Sequence, residues 1–104
     1  MNLTVNPSAI EELKKYEYQE NEGVRIEAIY VGSCSIYAEH HLRIDQKTAQ
    51  DDLFMVHDIP FLISKESQKL LHDQLSLDFN PSLGYKLSSA EEIYKYNLQL
   101  KRNK

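Results

Sequence analysis

Apolar and polar positions alternate most clearly in the first half of the chain. Val24, Ile26, Ala28 and Tyr30 are interleaved with Arg25, Glu27 and Ile29, the period of a half-buried strand. From Ile36 to Ile44 the chain is rich in strand formers and free of Gly and Pro. The tight Gly32-Ser33-Cys34-Ser35 loop between them predicts an antiparallel hairpin whose connection carries Cys34. Two short apolar strands follow, Leu53 to Val56 and Phe61 to Ile63, parted by His57-Asp58-Ile59-Pro60. Leu75, Leu77 and Phe79 alternate with Ser76 and Asp78 in a strand that ends at the turn Asn80-Pro81-Ser82. Gly84-Tyr85-Lys86-Leu87 begins a further strand.

The last element carries opposing signals. Ser89 to Glu92 has the spacing of a capping box, which favours a helix. Tyr94, Tyr96, Leu98 and Leu100 alternate strictly with Lys95, Asn97, Gln99 and Lys101, which favours a strand. The strand is the preferred reading.

Helix signals are few. Leu3-Thr4-Val5 reads as a short leading strand, and Asn6-Pro7 as a helix start, with Asn capping and Pro at the first helical position. That helix is expected over 7–17, and Ser64 is expected to cap another through about Leu71. Asp45 to Asp52 is polar and reads as loop. Its three aspartates, Asp45, Asp51 and Asp52, raise calcium as an alternative but lack the glycine and ligand spacing of an EF-hand. A solvated loop is the expectation. The predicted class is mainly β with one or two short helices.

Length narrows the picture: 104 residues fit one domain, 1–104. A net charge of −4, with scattered Lys and Arg, argues against a broad nucleic-acid interface. No run approaches the ~20 apolar residues of a membrane span, and residues 1–22 show no signal-peptide pattern. The single cysteine excludes an internal disulfide. A reducing cytoplasmic setting is expected.

The chemistry-bearing residues are sparse. Cys34, among small and hydroxyl residues in a loop, is the candidate metal or cofactor ligand. His40 and His41 are adjacent on a predicted strand and so point to opposite faces. His57 lies in a turn and His72 near a helix end. None has H-x-x-x-H or C-x-x-C support, so surface or locally satisfied imidazoles are expected. No Lys or Arg adjoins Cys34, and no Ser-His-Asp arrangement or phosphate-binding glycine loop is visible. Tyr94 and Tyr96 on one face of the terminal strand read as half-buried packing or as a partner surface.

In order, these segments resemble the HesB-like (A-type) iron–sulfur cluster biogenesis domain. The matching features are Leu3-Thr4-Val5 with the following helix, Val24-Arg25-Ile26, the Gly32-Ser33-Cys34-Ser35-Ile36 loop, Phe61-Leu62-Ile63, Leu70-Leu71, Asp78-Phe79 and Gly84-Tyr85-Lys86-Leu87. The likeness covers about residues 3–88, leaving 89–104 as a divergent C-terminal segment. It implies a HesB-like β-sandwich of small mixed sheets, with Cys34 matching the loop ligand. Cluster-carrying members also end in a Cys-Gly-Cys pair, and after Leu87 this chain has no cysteine.

Because clusters are generally held by four ligands, commonly thiolates, one cysteine thiol per chain predicts lost or weakened binding. The leading expectation is therefore a non-enzymatic, degenerate member. Iron or a cluster would be shared between subunits of a homodimer, with iron–sulfur assembly proteins as partners. Two other classes stay open: a small protein-interaction module using the terminal tyrosine strand, and a Cys34-dependent thiol or redox protein.

Overall fold

The computed structural model describes residues 1–31 and 37–102. Nine strands and two short helices occur among them: β1 (Asn2–Val5), α1 (Pro7–Leu13), β2 (Glu22–Val31), β3 (Tyr37–Gln46), β4 (Asp51–Val56), β5 (Ile59–Ser64), α2 (Lys65–Gln68), β6 (Gln74–Asn80), β7 (Gly84–Ser89), β8 (Ile93–Leu98) and β9 (Leu100–Arg102). They form a four-stranded sheet in the order β1-β6-β7-β8 and a five-stranded sheet in the order β4-β5-β2-β3-β9. Both sheets are mixed: β1 runs parallel to β6, and β2 parallel to β5. The mainly-β expectation with two short helices holds.

Alternation puts the core between the sheets. On β2 and β3 the inward pairs are Val24 with Ile44 and Ile26 with Leu42, all buried. Leu75, Leu77, Tyr85, Leu87 and Leu98 are buried on the facing sheet. Fully burying a side chain such as Leu or Ile stabilises by about 1.5–3 kcal/mol relative to exposure, so this layer supplies the main folding drive.

Two expectations about helices need correction. α1 stops at Leu13 rather than 17 because its end is closed locally. The Tyr18 hydroxyl donates to the Leu13 carbonyl at 2.7 Å, and the Lys15 and Tyr16 amides reach back three residues. Asn6 occupies the cap position, but its side chain makes no cap bond. α2 is capped as expected, Ser64 Oγ accepting the Ser67 N–H, yet it ends at Gln68 rather than Leu71.

The loop expected over 45–52 shrinks to 47–50. Asp51 is not solvated: it is buried and receives the Arg25 guanidinium on both oxygens, Nη2 to Oδ2 at 2.8 Å and Nη1 to Oδ1. Burial pushes the Asp51 carboxyl up, but the Arg25 bond and the Thr48 amide and hydroxyl outweigh it and hold its pKa below the ordinary value. The three aspartates also diverge. Asp45 turns to Arg25 and Arg43, while Asp52 turns to Lys65 and Gln68.

Past Ser89 the strand reading is correct, with a difference. Ser89 Oγ does accept the Glu91 and Glu92 amides, so the cap chemistry exists, but it closes a turn into β8. The alternating segment then splits. β8 pairs with β7, Asn97 takes φ 65°, and β9 joins the other sheet alongside β3.

Candidate functional site

Ten register pairs join β2 to β3, from Glu22 with Gln46 to Val31 with Tyr37, and this hairpin carries the cysteine connection. Cys34 itself lies outside the described residues. Its expected role as a ligand thus rests on sequence and family resemblance.

The inward face of the same hairpin can be followed toward that end. Beyond Ile26 and Leu42 the next inward pairs are Ala28 with His40 and Tyr30 with Ala38. Ala28 and His40 are buried, whereas Tyr30 is 52% exposed. The sandwich therefore opens here. A hollow of about 330 Å³ is lined by Tyr30, Ala38, His40, Leu70, Glu92, Ile93 and Tyr94. Its walls are mostly apolar, with one imidazole and one carboxylate.

Tyr94 ties this end together. Its ring stacks at a tilt on His40, centroids 4.9 Å apart, and its hydroxyl accepts the His72 amide at 2.8 Å. It is half-buried, in line with a packing role, while Tyr96 is 57% exposed.

His40 departs from expectation. It is 7% exposed and its Nε2 is buried without a hydrogen-bond partner among the described residues, so it is neither a surface group nor fully satisfied there. Burial first, and the Lys95 ammonium second, push its pKa below the ordinary imidazole value. A neutral imidazole at physiological pH follows. Sequence parity placed His40 and His41 on opposite faces correctly, His41 being exposed. No local signal could have shown that His40 lacks a partner.

The other histidines stay apart. His57 sits with Asp58 in the β4–β5 turn, both at positive φ, and is exposed; His72 is exposed near Tyr94. Among the described residues, no three His, Cys, Asp or Glu side chains converge as a metal site would require. One chain brings a single cysteine thiol, whereas an iron–sulfur cluster generally takes four ligands, commonly thiolates.

Comparison with known proteins places these features. A family model described as iron-sulphur cluster biosynthesis matches residues 1–102. The crystal structure of a candidate Fe-S biosynthesis protein from Lactobacillus acidophilus is similar, with a TM-score of 0.69 at 17% identity, covering 98% of this chain and 90% of that one. A second, from Lactobacillus salivarius, gives a TM-score of 0.71 at 16% identity and covers 96% of each chain. At such identities the structures speak to the fold alone. Comparison with curated proteins finds no match. The family match spans nearly the whole sequence, including the segment after Leu87, and the chain belongs to the HesB-like iron–sulphur cluster biosynthesis family.

Proposed function

We propose that this chain is a non-enzymatic member of its family whose capacity to carry a cluster by itself is lost or weak. The observation behind this reading is the donor count: Cys34 is the only sulfur ligand of cysteine type in 104 residues. Two chains bring two thiols, so any cluster would be shared between subunits or completed by a partner from iron–sulfur assembly. A reducing, cytoplasmic setting belongs to this reading, since a free thiol persists there. Among the described residues no helix is long and apolar enough to cross a membrane.

Anaerobic reconstitution with ferrous iron and sulfide tests it, with iron and sulfide measured per chain alongside native mass. The expected result is far less than one cluster per monomer, with any residual chromophore confined to oligomers and removed by Cys34→Ser. Stoichiometric cluster on an isolated subunit overturns the reading.

A specific observation favours an interaction module as the second reading. Ile93 and Tyr96 on the edge strand β8 are 53% and 57% exposed, and Ile93 borders the open end beside the hairpin. Under this reading Ile93→Ser and Tyr96→Ser weaken complex formation with an iron–sulfur scaffold protein while Cys34→Ser leaves it intact. Removing residues 93–104 is a poor test, because it also takes away buried Leu98.

A further inference from the structure

β9 pairs with β3 only over Leu42, Arg43 and Ile44, so among the described residues no strand pairs with the edge of β3 before Leu42. β8 approaches that edge from the other sheet, and the crossing at Asn97 leaves a cleft of about 360 Å³. Its polar lining is His40 and His41 of β3, Lys95 and Asn97 of β8, Gln99, and Lys101 of β9. Arg43 also borders it but is already engaged by Glu27 at 3.0 Å and Asp45 at 3.4 Å, and His41 faces Glu39 at 3.4 Å.

Lys15, Arg25, Arg43, Lys65 and Lys69 are held in ion pairs among the described residues, whereas Lys95 and Lys101, like Lys14, Lys47 and Lys86, are not, and only these two of the five share one cleft. Among the described residues neither Lys95 nor Lys101 has an acidic group within ion-pair distance, although the chain as a whole is acidic. The side-chain amides of Asn97 and Gln99 likewise make no hydrogen bond to a described residue. Leu42 and Leu98, whose side chains are buried in the core, border the same cleft. Two ammoniums and the Asn97 amide, without partners among the described residues, thus border one concave space.

We propose that this cleft binds a small tetrahedral oxyanion, of the sulfate or phosphomonoester type, through Lys95 and Lys101 with Asn97 as a neutral donor. An ammonium carries three rotatable donors and a point charge, suited to an oxyanion approached from several directions. Charge-assisted bonds from the ammoniums to the anion are shorter and stronger than bonds between neutral groups. The site is independent of whether Cys34 retains any ligand.

The test is a ¹H–¹⁵N NMR titration of the full chain with sodium sulfate near neutral pH, run against sodium chloride at matched ionic strength. Saturable shifts at residues 40–43 and 95–101 are expected with sulfate only. Lys95→Gln and Lys101→Gln should each weaken binding at least about threefold. Lys65→Gln, which removes a cation paired to Asp52 elsewhere, should leave it unchanged. A parallel titration with glycerol phosphate separates the sources: tighter binding assigns the site to a phosphomonoester, equal binding to the free ion, and either supports it. Linear shifts, shifts reproduced by chloride, or full affinity in the folded double lysine variant overturn the proposal.

Discussion

The Ser67 hydroxyl stands where a neighbouring strand would pair with Ala28. It accepts the Ala28 N–H at 3.1 Å and donates to the Ala28 carbonyl at 3.2 Å. β5 pairs with β2 only at Val24 and Arg25 before turning into α2, so the backbone of Ala28 would otherwise be an unpaired buried edge. Ser67→Ala leaves one donor and one acceptor without partners. A loss of about 1–3 kcal/mol is expected in urea unfolding. A change within error would show that water takes over both bonds.

Asp51 should govern acid stability. Its pKa is lowered in the fold, so its contribution is fully present above the unfolded-state value near 3.9 and drains away as pH falls through the folded value. Asp51→Ala strands the buried Arg25 guanidinium and should cost about 3–5 kcal/mol near neutral pH. The loss should shrink toward low pH, where the wild-type carboxylate is itself protonated. Equal losses at both ends would contradict the ion-pair account.

His40 works in the opposite direction. Its folded pKa lies below the unfolded value of about 6.5, so the unfolded chain takes up a proton first and stability falls as pH drops below that point. His40→Phe preserves an aromatic partner for Tyr94 but cannot titrate. Its stability should vary less than the wild type's as pH falls from 8 through the imidazole range, followed by thermal melting. An unchanged profile would assign the dependence to another group.

Gly84 is required by its surroundings. It adopts φ 96°, and a Cβ there would meet the Leu98 carbonyl oxygen at 2.8 Å and the Gln99 side chain at 2.9 Å. Gly84→Ala should destabilise by at least about 1–3 kcal/mol, since it combines left-handed strain with a backbone clash. Amide exchange should rise first at residues 93–102, the strands that Gly84 abuts. A variant as stable as the wild type would mean that the β7–β8 boundary relaxes without cost.

What could be read in advance follows from range. The β2–β3 hairpin and the β4–β5 turn were visible because alternation and turn residues are local. Whether Leu98 and Leu100 belong to one sheet or two was not, since parity reports a face but never a partner strand. Ser89 shows a similar limit: its hydroxyl makes the bonds of a helix cap, and the aromatic, alternating residues after it decide for strand. Polar neighbours predict a solvated Asp51, whereas the Arg25 guanidinium of β2 reaches it and buries it. Parity assigns His40 to a face, but its stacking on Tyr94 involves β8, which lies far along the chain.

One feature of the topology bears on how the molecule assembles. Asn2 stands opposite Gln74, and Leu42 opposite Leu100, so the first and last strands are each stitched to a remote segment. Neither end can dock until most of the intervening polypeptide has found its place. Closing such long loops is entropically unfavourable before their contacts form, which puts refolding on the millisecond-to-second scale typical of non-local β architectures. During synthesis the opening strand must wait, unpaired, for β6 to emerge.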